Sequence, residues 1–451
     1  MNKIIIQILF WGIVSLSAQT PQLEKYIQDG LQNNLALKQK DFSFNKSMAA
    51  LDEARGLFFP SIGINARYSR AGGGRTFDIP VGDLVNPIYG GLNSIIGQSI
   101  YPTNIPNESI NFLREKEHET KLSLIQPIFK PEIYFNYKIK SSLKDLFKAE
   151  RDLYARELVK EIKTAYYNVL KSNEVLKLYT KTLELVTENL RVSYSLYKND
   201  KVTKDVVYRA EAEKSSIIES LEEARKNLDL SKYYFNFLLN KPLDEIILLD
   251  EQALLKLDDT FNTQSMYETA LNNRDEFKQL NSAINASSNN TSLAQSGYYP
   301  GVVLAVDYGF QGEEYKFTKD DDFWMASLVL QWNIFNGFQD KAKAEQAEWD
   351  TKELEIKKLE LQKQINLQVR EAIKNLNVAK AKLQTASDRK ESAGKSFAIM
   401  KKKFENEMAS HLEFIDARTT YTQASVNQTI VEYDYLIKEA ELERVTAAYK
   451  F

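Results

Sequence analysis

Two carboxylates late in the chain, Glu413 and Asp416, stand three residues apart, so on a helix they share one face. If copies of the chain bring such pairs together, the like charges repel and raise one another's pKa. A ring of them can favour or bind cations. The plainer alternative is two solvated acids on a helix surface. Other reactive side chains are sparse. The absence of Cys excludes disulfides and thiolate metal ligands. The only two histidines, His118 and His411, lie far apart, which excludes a site built on three His of one chain. Each reads as an ordinary surface His, although His411 is placed where pH sensitivity would matter. Gly72-Gly73-Gly74 is not followed by Gly-Lys-Ser or Gly-Lys-Thr, so it is not a phosphate loop. With no nucleophile motif and no paired ligand pattern, the chain does not read as an enzyme, and no cofactor or metal is expected.

The positions of those acids depend on an internal plan. The 451 residues suffice for one large or several small domains. A net charge of only −3 gives no overall basic field for nucleic acid. Residues 1–18 read as an export signal, with Lys3, an apolar run from Ile4 to Val14, and small residues Ser15, Ser17 and Ala18. Beyond it no apolar run of about 18 residues occurs, so no ordinary membrane-spanning helix is expected. A β-barrel, whose strands carry a weaker signal, stays open.

The remainder divides into a first repeat, 19–240, a linker, 241–263, and a second repeat, 264–451. The opening helical pattern of residues 20–58 returns in 264–298. Leu271-Asn272-Asn273 stands 240 positions after Leu31-Gln32-Asn33, and Tyr298-Tyr299-Pro300 stands 240 after Phe58-Phe59-Pro60. Alternation follows each Pro. Ile62, Ile64, Ala66 and Tyr68 share one face of a strand; Val302, Leu304, Val306, Tyr308 and Phe310 share one face of another. Returning strands complete pairs over 61–127 and 301–332. Trp324 and Trp332 end the last one, where interfacial aromatics are expected. A half-buried strand of a soluble sheet would alternate in the same way. The connection 70–120 is Gly-, Pro- and Asn-rich and reads as a long surface loop or a partly ordered insertion.

Residues 132–199 lack Pro and Gly, and 338–404 contain only Gly394. Each could form one helix of about 100 Å. Both patterns break alike, at Asn199-Asp200 and Asn406-Glu407, and resume as returning helices over 203–240 and 410–449, with an offset of 207 throughout. Thr203 and Ser410 are N-cap candidates. Asn tolerates the left-handed conformation that a turn without Gly requires.

This organisation resembles the TolC family of outer-membrane efflux and export proteins. The resemblance rests on Leu31-Gln32-Asn33-Asn34, Phe59-Pro60-Ser61, Tyr299-Pro300-Gly301, Gln126-Pro127-Ile128-Phe129, Trp332-Asn333-Ile334-Phe335-Asn336-Gly337 and Leu238-Leu239-Asn240-Lys241-Pro242. It implies a mainly α fold with a membrane β-barrel. Three chains would give four strands each to a twelve-stranded barrel, continued by a long periplasmic helical tunnel. It further implies a homotrimer in the outer membrane, working with a periplasmic adaptor and an inner-membrane pump as a passive duct gated at its periplasmic tip. That tip would comprise Asn199, Asp200, Thr203, Phe404, Asn406, Glu407 and Ser410. Glu413 and Asp416 match an acidic pair that lines the closed mouth in the family, so six carboxylates would meet. Phe404 and Ala409 stand where the family has a Tyr and an Arg that hold the mouth shut, so the latch here is expected to differ. The competing readings are a long coiled-coil structural or adhesive protein without a pore, and a soluble periplasmic adaptor or binding protein.

Overall fold

The computed structural model describes residues 20–250, 262–406 and 408–450. The expected signal segment 1–18, residues 251–261 of the 241–263 linker and Glu407 lie outside the described residues. In chain order the elements are α1 (Pro21–Asn33), α2 (Leu35–Gly56), β1 (Ser61–Arg70), β2 (Thr76–Ile79), α3 (Val81–Ile96), β3 (Glu108–Asn111), β4 (Lys116–Phe129), α4 (Pro131–Lys198), α5 (Lys204–Leu238), α6 (Thr263–Asn273), α7 (Asp275–Gln295), β5 (Gly301–Gly312), β6 (Asp322–Gln331), α8 (Gln339–Glu405) and α9 (His411–Thr446). The chain divides into two compact units. One comprises Met1–Ala50, Ile139–Ser288 and Glu348–Phe451, and the other Leu51–Lys138 and Asn289–Ala347.

The single opening helix expected in each repeat is corrected to two. Asn34 ends α1 and starts α2: its Oδ1 accepts the Leu37 N–H at 3.0 Å, and its Nδ2 donates to the Leu238 carbonyl at 2.9 Å. Arg274, 240 positions later, divides α6 from α7. A buried side chain that bonds the backbone offers the chain an alternative to continuing the helix.

The helical unit is held by a core stripe that is itself duplicated. Leu158, Ile162, Ala165, Tyr166 and Val169 of α4 are buried, and so are Ile365, Val369, Ala372, Ile373 and Leu376 of α8, each 207 positions later. The spacing i, i+4, i+7, i+8, i+11 keeps each set on one helix face. Leu23, Ile27, Phe235 and Leu239 pack into the same core, with Tyr26 edge-on to Phe235 at 5.0 Å. Charges buried there are paired. Lys163 bonds Glu443, and Arg156 bonds Asp275 at 3.0 Å.

The other unit holds a four-stranded antiparallel sheet in the order β1-β4-β5-β6. Its central pairing, β4 with β5, joins the two repeats. Cross-strand partners share a face, and the registers align Ile64 with Leu122, Leu122 with Tyr308, and Tyr308 with Trp324. The next row reads Ile62, Leu124, Val306 and Ala326. One face is therefore apolar across all four strands, and it is exposed: Ile64 by 75%, Trp324 by 74% and Leu328 by 70%. The opposite face carries Asn65, Arg67, Glu119, Lys121, Ser123 and Asp307, with Lys121 bonded to Asp307 at 2.9 Å. Gly309 permits the close approach of β4, since a Cβ there would lie 2.5 Å from the Thr120 carbonyl oxygen. β1 and β6 leave both edges of the sheet open. The connection 70–120 contains the small β2–β3 pair and α3. Among the described residues no helix is long and apolar enough to cross a membrane.

Candidate functional site

Within the helical unit the two reversals lie against each other and enclose a cavity of about 710 Å³ lined by α4, α5, α8 and α9. The reversals are built alike, for a reason that residue type explains. A helix C-terminus leaves its last carbonyls without partners. Asn199 Nδ2 donates to the Ser195 carbonyl at 2.8 Å, and Asn406 Nδ2 donates to the Lys402 carbonyl at 2.8 Å. The Lys201 N–H returns to the Leu196 carbonyl at 2.9 Å, and the Met408 N–H to that of Lys403 at 2.8 Å, closing each helix in a Schellman-like turn. The left-handed residue of the first reversal is Asp200, at φ 56°, and not Asn199. The conformational role expected of Asn199 is thus corrected: it serves as a side-chain donor.

The N-caps differ. Ser410 accepts the Glu413 N–H at 3.3 Å, while Glu413 Oε2 accepts the Ser410 N–H and hydroxyl at 2.8 Å each, a full capping box. Thr203 holds the N-cap position of α5, but its hydroxyl makes no capping bond and donates to the Asp205 carboxylate instead. The expected hydroxyl cap at Thr203 is corrected on that ground. Its third residue onward is Val206, which cannot return a carboxylate as Glu413 does.

The acidic pair occupies the first two turns of α9, and both acids are exposed. Glu413 serves its own helix end. Its bonds from Ser410 hold the carboxyl below the usual carboxylate range. Asp416 is the less committed of the two.

Apolar contacts close the site. Phe404 stacks on Phe414 at 4.7 Å, and Phe414 lies 5.8 Å from Phe397, which stacks on Tyr421. Gly394, the one glycine of α8, sits where a Cβ would come within 3.1 Å of the Tyr421 ring. Val207, at the position matching Phe414, is buried.

Sequence reasoning did not identify the polar centre of this region. Arg418 is 2% exposed, pairs with Glu213 and lies 5.5 Å from the Phe414 ring. His411 is half-buried and reaches Ser193 at 3.1 Å and Asn189 at 3.3 Å across to α4. The ordinary surface role expected of His411 is corrected, and so is that of His118. His118 is fully buried, stacked on Tyr315 at 4.1 Å and bonded to the Glu314 carbonyl at 2.7 Å. Among the described residues no cluster of His, Asp or Glu could hold a metal ion.

Residues 266–448 match the family model described as outer membrane efflux protein. Solved structures with the same fold include three outer-membrane proteins. The outer-membrane channel OprN aligns with TM-score 0.77 at 14% identity, over 96% of this chain and 91% of that one. The Campylobacter jejuni CmeC outer membrane channel aligns with 0.77 at 15%, over 95% and 86%. The outer membrane protein VceC of Vibrio cholerae aligns with 0.76 at 14%, over 94% and 96%. No curated protein matches the chain. The second repeat thus matches the outer membrane efflux protein family model, and nearly the whole chain shares the fold of these solved outer-membrane proteins.

Proposed function

We propose that three copies of this chain form one passive duct through the outer membrane, closed by their sheets as a twelve-stranded barrel and extended by their helices into the periplasm. The observation that carries this reading is the sheet. It presents one largely apolar face with exposed Ile62, Ile64, Trp324 and Leu328, an opposite face that carries Asn65, Arg67, Glu119, Lys121 and Asp307, and two open edges. An open edge is forbidden in lipid, because its unpaired N–H and C=O groups find no water there. Joining β1 of one copy to β6 of the next removes every edge. The apolar face then meets acyl chains and the polar face lines the lumen. The coiled-coil alternative gives no reason for that face.

The helical reversals form the periplasmic tip in this reading, and Asp416 with Glu413 faces the pore there. Because Glu413 also caps α9, Asp416 is the stronger candidate for the cation-attracting ring. In this reading a periplasmic adaptor docks at the tip, and an inner-membrane pump supplies the energy. A low-resolution image of the purified particle tests the architecture. A hollow threefold particle is expected; a compact globule or a solid rod would overturn it.

A further inference from the structure

Polar ties join the two reversals at the Arg418–Glu213 pair, between α9 and α5, and at the bond from His411 to α4, and the chemistry of the second makes it sensitive to acid. Ser193 Oγ already donates its hydrogen to the Asn189 carbonyl at 2.9 Å. It can therefore only accept from His411, as can Asn189 Oδ1. This assigns the hydrogen of the neutral ring to Nε2. The other nitrogen, Nδ1, is buried and has no hydrogen-bond partner among the described residues. Acid would add its proton there, creating a buried donor with nothing to accept it.

The surroundings oppose the accompanying charge as well. His411 is the first residue of α9, at the positive end of a 36-residue helix. The carboxylates near the cavity are already matched with cations. On α4, Glu188 is bonded to Arg191 at 2.7 Å. On α5, Asp205 faces Arg209 at 3.6 Å, and Glu213 holds Arg418 of α9. On α8, Glu405 lies 4.0 Å from Lys401. Lys201, in the first reversal, adds a further positive charge to the lining. A cationic His411 would therefore be in excess. Phe404, 5.7 Å from the imidazole, and the stacked Phe414 limit relief by water. Burial, Arg418 and Arg209 accordingly hold its pKa below that of an ordinary histidine, with only Asp205 acting the other way.

We propose that His411 is an acid-released latch: neutral, it ties the second reversal to α4 of the first, and protonated, it lets go. As a gate element it rests on the reading of the reversals as the channel tip. Two measurements on the purified, detergent-held protein separate the two claims. Amide exchange of the first turn of α9, corrected for intrinsic rate, should lose protection as pH falls from 7.5 to 5. The limit is about tenfold per pH unit, set by uptake of one proton. In His411→Gln, whose amide can keep the Nε2-like donor without titrating, protection should stay flat with pH. In His411→Ala it should be low at every pH. Equal acid responses in wild type and His411→Gln would overturn the latch. So would an acid-insensitive wild type. Bilayer conductance over the same pH range reads the gate. A wild-type rise that His411→Gln lacks supports both claims. Acid-loosened exchange without any conductance change keeps the latch and overturns the gate at this tip.

Discussion

The alternating faces of the sheet make a quantitative prediction at two adjacent residues. Ile64 and Asn65 are neighbours near the middle of β1, on opposite faces, and both are exposed. Ile64 is aligned with Leu122 on the apolar face, and Asn65 with Lys121 on the polar face. If the apolar face meets lipid, Ile64→Arg places a guanidinium near the bilayer midplane. That costs roughly 2–4 kcal/mol per copy, or roughly 6–12 kcal/mol over three copies that insert together. Asn65→Arg puts the same side chain opposite Lys121, near Glu119 and Asp307, in a watery lumen, and the like-charge pair should cost no more than about 1 kcal/mol per copy. The assay is folding into lipid vesicles across a urea series, scored by the heat-modifiable trimer band. Ile64→Arg should fail to insert or shift the midpoint strongly, while Asn65→Arg shifts it far less. Equal effects, or the reverse order, would refute the assignment of the two faces.

Three further outcomes follow from the helical unit. Replacing both Glu413 and Asp416 by Ala should weaken block by divalent and trivalent cations in single-channel recordings, and Asp416→Ala alone should account for most of the change. Lys163 and Glu443 are almost fully buried, so Lys163→Met leaves an uncompensated carboxylate and should cost about 3–5 kcal/mol of stability. Thermal unfolding would show this as a large fall in Tm, and adding Glu443→Leu should recover most of it. Ser410→Ala should cost about 1 kcal/mol through loss of the N-cap, read as faster exchange in the first turn of α9. The capping box also has a pH signature. The Glu413 carboxyl titrates below its usual range in the folded state, so its contribution is fully present above the ordinary carboxylate pKa and is lost as pH falls through the lowered value. Acid titration of α9 exchange in wild type and Ser410→Ala should differ in that window.

Much of the plan was legible because it was duplicated. The 207-residue offset relates Asn199 to Asn406 in sequence and, in the structure, also relates Leu158 to Ile365 in the core. The helix-stopping duty of Asn34 was harder to read. It depends on a carbonyl at Leu238, 204 residues away. The pairing of β4 with β5 joins strands from different repeats, which no local alternation reveals. At the candidate site, Ser410-x-x-Glu413 carries a capping-box signature that could have been read locally. Its counterpart Thr203-x-x-Val206 lacks the returning carboxylate, which is why the two caps differ. His411 could not be read as a tie, because Ser193 and Asn189 are 218 and 222 positions distant. Phe404 and Ala409 signalled that a Tyr–Arg latch was missing. The stack of Phe404 on Phe414, and the buried Arg418 beneath it, emerge only when α8 and α9 pack.

The duct itself is tested most directly by electrical recording. Purified protein, confirmed as a folded trimer, is added to a planar bilayer at neutral pH. Discrete, uniform conductance steps that polyvalent cations block from the periplasmic side are the predicted result. A folded trimer that inserts yet never conducts would contradict the account.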